Sequence, residues 1–157
     1  MTLPMKEVVL EPGAGNRILL GTSQVIVKAT GADTHEHLSL FEFIQEPGGF
    51  GPAPHIHRER EELFYVLEGD VDILVGEQVV KCSPGGFVLV PRGMPHTFAN
   101  RGTQRARLLI MFCPAGQREK YFEGLAQLMK DGQKPDPVAL AELLRQYDQE
   151  PVQVNGW

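Results

Sequence analysis

Cysteine is scarce. Only Cys82 and Cys113 occur, with no CxxC pair between them, so a disulfide framework is excluded and two buried free thiols are expected. Positive charge is in deficit, with 15 Lys and Arg against 20 Asp and Glu and a formal net charge of −5 at pH 7. A phosphate backbone needs a basic surface, so no nucleic-acid partner is expected. Long apolar runs are also missing. Nothing approaches the roughly 20 residues that cross a bilayer, which argues against a membrane partner. The opening "MTLPMKEVVLEPGAGNR" has no basic head followed by an apolar stretch, so the expected compartment is the cytoplasm.

What is present fits one globular domain: 157 residues, 42% apolar and 22% charged. Between Arg17 and Cys113 short apolar runs alternate with Gly, Pro, Asn and Asp. The candidate strands are "RILL", "QVIVKAT", "LSLFEFI", "ELFYVLE", "VDILV", "QVVKC", "FVLVP", "HTFAN" and "RLLIMFC". Turn signals such as "EPGGFGP", "SPGG" and "PRGMP" separate them. Many short strands at this spacing predict an all-β sandwich or barrel, with no room for helical crossovers. Several runs, "LFYVL" and "LLIM" above all, are apolar on both faces. One face can fill the interior, and the other needs a second cover. A homodimer formed through the strands is therefore expected.

After Pro114 the period changes. "REKYFEGLAQLMKDG" sets Tyr121, Phe122, Leu125, Leu128 and Met129 on one helical face and ends at Gly132. A second helix is predicted from Asp136 as N-cap, with Pro137 at its first position. The division expected is residues 1–113 as the β-domain and 114–157 as a helical extension packed on it. These helices carry no catalytic constellation and read as a cover. The tail "PVQVNGW" gives no strong signal.

Ionisable chemistry concentrates in "PHIHREREELFYVLEG", residues 54–69. His55 and His57 are two apart, so on a strand they share a side. Glu62 lies an odd number of positions further, so the polar "RERE" must turn or bulge to bring it round. Glu62, Phe64 and Val66 then line one face of the next strand. Further on, "GGFVLVPRGMPHTFAN" ends a strand at Pro91, turns, and opens another at His96. Three imidazoles and a carboxylate converging between strands suit one divalent transition metal: iron, manganese, cobalt, nickel, copper or zinc. An HxH alone is more often a polar face. A second pair, His35 and His37 in "DTHEHL", lacks a carboxylate spaced like Glu62 and is expected as exposed loop.

The two stretches together resemble the cupin superfamily. Its first motif is matched by Gly49, His55, His57, Glu62 and Gly69, and its second by Gly85, Pro91, Gly93, His96 and Asn100. Gly86 departs from the pattern, standing where many relatives carry Asp. The resemblance implies an antiparallel jelly-roll (cupin) β-barrel, here with two C-terminal α-helices. It implies His55, His57, Glu62 and His96 as metal ligands, and structural roles for the glycines and Asn100.

Fold alone does not fix the function of such a protein. The reading the resemblance favours is a quercetinase-like dioxygenase acting on a small oxygenated organic molecule. In it Glu62 is both a metal ligand and the catalytic base. Two alternatives stand beside it: a metal-dependent isomerase or lyase, and a non-catalytic small-molecule binder. The binder's apolar pocket would be drawn from Phe41, Phe43, Phe64, Met94, Phe98 and Met111. No helix-turn-helix segment accompanies the strands, which argues against a transcription regulator.

Overall fold

The computed structural model describes residues 4–157. Each of the predicted apolar runs forms a strand, ended by the glycine or proline turns read from the sequence. In chain order these are β1 (Asn16–Leu20), β2 (Ser23–Ala29), the one-turn helix α1 (Gly31–Thr34) and β3 (Ser39–Gln45). Next come β4 (His55–Ile56), β5 (Glu61–Glu68), β6 (Val71–Val75), β7 (Gln78–Cys82) and β8 (Phe87–Val90). The strands β9 (His96–Ala99) and β10 (Ala106–Cys113) lead into α2 (Arg118–Leu128), α3 (Pro137–Gln146) and a last short strand, β11 (Glu150–Pro151).

The strands pair antiparallel into two sheets, ordered β1-β2-β3-β10-β5-β8 and β11-β4-β9-β6-β7. Neither sheet closes on itself, which corrects the expected β-barrel: the jelly roll here is an open two-sheet sandwich. The chemistry of the corner explains why. Between β3 and β4 the chain carries Pro47, Pro52 and Pro54, which have no N–H to give a ladder. Among the described residues the corner meets the end of β9 through an isolated bridge, Phe50 to Ala99, and the backbone bonds of Gly48, Gly49 and Gly51 to Asn100 and Phe98, without forming a strand. Alternating burial sets which side of a strand faces inward, but it does not require the edges to meet.

The inward faces build one core, including Phe41, Phe64, Val66, Leu108, Ile110 and Phe112. Fully burying each of the larger side chains contributes about 1.5–3 kcal/mol. The outward face of the six-stranded sheet is apolar as well. Tyr65 pairs with Phe87 and Leu63 with Leu89, and Tyr65, Leu67, Phe87 and Leu89 are exposed. Cys82 is buried, Cys113 half-buried, and both are free thiols.

The C-terminal helices cover one end of the core. On α2, Tyr121 and Phe122 are buried, and Phe122 meets Phe41 and Phe43 edge-on at 5.0 and 5.4 Å. Asp136 caps α3 as expected, its carboxylate accepting the Ala139 N–H at 2.9 Å, with Pro137 in the first turn. Among the described residues no helix is long and apolar enough to cross a membrane. The tail does more than its sequence suggested. Strand β11 pairs with β4, opposite Ile56 and His55, so the extension is not purely helical.

Candidate metal centre

Sheet register brings the two motifs together. His55 on β4 lies directly opposite His96 on β9 in the five-stranded sheet. Glu62 comes from the facing six-stranded sheet, where β5 lies between β10 and β8. The "RERE" segment leaves strand geometry at residues 58–60, as its polarity required. Glu62, Phe64 and Val66 then point inward, each at most 4% exposed. The glycine before His96 also holds the site. Gly93 takes a left-handed φ of +75°, and its N–H donates to the His57 carbonyl at 2.7 Å. Asn100 is buried, and its side-chain amide ties the carbonyls of Gln45 and Gln104 together.

One ligand atom from each of His55, His57, Glu62 and His96 lies within 4.8 Å of all the others, and all four residues are buried. His35 and His37 are exposed and take no part. Each of the three imidazoles has its Nδ1 against a backbone carbonyl: Ala53 at 2.9 Å, Asp148 at 2.5 Å and Met94 at 2.9 Å. A carbonyl can only accept, so Nδ1 carries the proton and the Nε2 lone pairs turn inward. Nε2 of His57 and of His96 then face Glu62 Oε2 at 3.0 and 2.7 Å. Acceptors this close to one another require a shared positive charge, either a proton or a metal ion.

Electrostatics point the same way. Burial pushes the Glu62 carboxyl up, but the imidazoles of His96 and His57 outweigh it and hold the group well below its usual range. Burial, aided by the neighbouring imidazoles, pushes His55 well below its usual value. Burial also lowers His57, against the pull of Glu62. For His96 burial is outweighed by the Glu62 charge, and its affinity for a proton rises. A carboxylate that stays ionised, beside His55 and His57 imidazoles pushed toward the neutral form and a His96 whose proton an ion would displace, is a donor set that could coordinate a divalent metal.

The site opens on a cavity of about 250 Å³ whose lining includes His55 and Glu62. Of the apolar residues expected there, Phe43 and Phe98 line it. Phe41 and Phe64 instead lie in the core, while Met94 only packs against it. Met111 also lies off the cavity. Its other walls include Leu20, Phe50, Ile110 and Phe112 of the β-domain and Phe122, Leu125 and Leu144 of the extension. The helices read as a plain cover thus form part of the binding space.

Three residues of this extension reach the site without a sequence signal that singled them out. Arg118 and Gln149 line the cavity, both almost fully buried. Asp148 takes a left-handed φ of +56°, and its carbonyl accepts the His57 proton. Its carboxylate accepts the backbone N–H groups of Arg58 and Glu59 and the Nε–H of Arg60, at 2.9–3.0 Å. A polar residue just past the end of α3, in a position that favours left-handed backbone, is the clue the sequence offered.

These bonds make a pH-dependent contribution to stability. Burial pushes the Asp148 carboxyl up, but the donors from Arg58, Arg60 and Glu59 win and hold it below its ordinary 3.8. Its contribution is therefore complete above that unfolded value and is lost as pH falls through the lower folded one. Asp148→Asn is expected to cost about 1–3 kcal/mol at neutral pH. In urea titrations the gap between the two proteins should close in strongly acidic buffer.

Comparison with known proteins agrees with this geometry. The cupin domain family matches residues 41–112. Quercetin 2,3-dioxygenase of Bacillus subtilis is 30% identical over 90 residues, 57% of this chain and 26% of that protein. The chain spans 26% to 34% of the length of the curated relatives it matches. Among solved structures, an RmlC-like cupin from Shewanella frigidimarina is similar with a TM-score of 0.63 at 18% identity, over 73% of this chain and 96% of that one. A cupin-superfamily sugar phosphate isomerase from Silicibacter pomeroyi gives 0.60 at 19% identity, over 69% and 76%. At these identities the structural likeness speaks for the fold alone. With the family matched over residues 41–112 and both histidine motifs of that segment gathered at one centre, this chain carries a cupin domain.

Proposed function

We propose that the chain is a metal-dependent oxygenase of the quercetinase-like type, acting on a small oxygenated organic molecule. One observation carries the metal: three Nδ1–H groups are spent on backbone carbonyls, so three Nε2 atoms and the Glu62 carboxylate are left to hold a divalent ion. When bound, such an ion polarises oxygen atoms of the substrate and supports chemistry with dioxygen. The cavity walls hold the organic body and keep water away. Both imidazole contacts of Glu62 run through Oε2, which leaves Oε1 to take a substrate proton. The similarity to quercetin 2,3-dioxygenase supports oxygenase chemistry over the alternatives.

Metal analysis of the purified protein, followed by oxygen uptake against flavonols and diketones, tests this reading. Glu62→Gln should lower turnover by about 100-fold or more, the usual contribution of a general base, while metal occupancy falls far less. Unchanged turnover in that variant would remove Glu62 as the base and leave the metal in place.

The apolar outer face of β5 and β8 is proposed to be covered by a second copy of the chain. Light scattering should give a dimer at micromolar concentration, and Phe87→Glu should give a monomer. A monomeric parent protein would remove this assignment.

A further inference from the structure

Arg118 opens α2, outside the matched cupin segment, and lines the same cavity as His55 and Glu62. It is 2% exposed. Its Nη1–H donates to the Tyr147 carbonyl and its Nη2–H to Gln149 Oε1, both at 2.9 Å. Neither partner carries a charge. Arg60 has Asp148 and Arg107 has Glu42, but among the described residues Arg118 makes no ion pair. Its Nε–H finds no acceptor at all.

The guanidinium carbon lies over the rings of Tyr121 and Phe112, 4.0 and 4.6 Å from their centroids. These rings ease the burial of a cation without meeting its unused N–H groups. The Glu62 and Asp148 carboxylates favour its charge from beyond ion-pair distance, but a buried guanidinium stays costly unless an anion pairs with it directly. Tying α2 to the tail would not require one, since a neutral amide can reach a carbonyl and another amide. The rest of the cavity is mostly apolar, with Phe43, Phe98, Leu125 and Leu144 among its walls.

We propose that Arg118 is an anion-binding subsite, and that the ligand is a small, largely apolar molecule carrying a carboxylate. The carboxylate accepts guanidinium N–H groups of Arg118 that Tyr147 and Gln149 leave unused, and the apolar body fills the space toward His55 and Glu62. This deepens the metal-centre reading and borrows from it only which end of the cavity is reactive.

Benzoate and its neutral isostere benzamide separate the possibilities. Each is titrated calorimetrically into the full chain at neutral pH, metal-loaded and after chelation. A charge-assisted hydrogen bond in a buried site predicts benzoate tighter than benzamide by about 10-fold or more in both states. Arg118→Gln should bring the two ligands level, and Arg118→Lys should keep part of the preference. A merely structural Arg118 would change thermal stability in these variants and leave the acid-to-amide ratio alone. Equal binding of the two by the parent chain overturns the proposal. So does an absence of benzoate binding at millimolar concentration, or a preference that survives in Arg118→Gln. If Arg118→Gln fails to fold, the parent ratio and Arg118→Lys decide. A chain that takes up no metal but keeps an Arg118-dependent preference sinks the metal reading and upholds this one.

Discussion

His57→Ala should leave a folded chain that no longer holds a divalent metal. The substitution removes one of four gathered donors, and with it the 3.0 Å contact to Glu62 and the proton donated to the Asp148 carbonyl. Losing only an outer partner of a ligand costs roughly 10–100-fold in metal affinity, so losing the ligand itself should exceed about 100-fold. The fold should survive. Leaving Glu62 and the Asp148 carbonyl each short of a partner costs about 1–3 kcal/mol apiece, against a typical domain stability of about 5–15 kcal/mol. His35→Ala is the matched control, since His35 is exposed and apart from the centre. Metal content by atomic emission, with circular dichroism beside it, reads both. Full occupancy in a variant lacking His55, His57 and His96 together would end the assignment.

The parts of this site that could be read from the sequence are those whose residues repeat or pair at short range. His55, His57 and Glu62 sit within eight positions, and strand alternation plus one polar turn sufficed to place them together. His96 needed the second motif, because its approach to His55 depends on cross-strand register. Closure of the sheets was misjudged for a physical reason. A period of two fixes the face of each residue and carries no information about whether edge strands meet.

The tail was illegible on different grounds. Asp148 acts on Arg58 from 90 positions away, and β11 is too short to show a period. Arg118 stands in "QREKYF", which looks like an ordinary charged helix start, and only packing reveals that its guanidinium is buried. The cavity was half-read for the same reason. Phe43 and Phe98 were foreseen, but the walls given by Phe122, Leu125 and Leu144 depend on how α2 and α3 dock.

That docking should fail first in Phe41→Ala, the substitution with the largest expected effect on stability. Phe41 is wholly buried and meets Phe122 on α2 and Phe112 on β10 edge-on, at 5.0 and 5.9 Å. Its strand is paired on both sides, to β2 and to β10, so the backbone cannot close in on the space left behind. Truncating a phenylalanine in such a place costs about 3–5 kcal/mol, which includes the cavity it leaves. At roughly 2–4 °C per kcal/mol for a chain of this size, the melting temperature should fall by about 6–20 °C. Leu89→Ala, at a residue 48% exposed, should cost far less. The void would lie beneath both α2 and Phe112, whose ring is 5.8 Å from that of His57 and 4.6 Å from the Arg118 guanidinium. Metal content measured well below the melting point should stay intact, because the three imidazoles keep their backbone carbonyls and His55, Glu62 and His96 keep their ladders. A loss under about 1 kcal/mol would mean that α2 slides inward to fill the space. The core would then not fix the helix, and the cavity wall it provides would be adjustable.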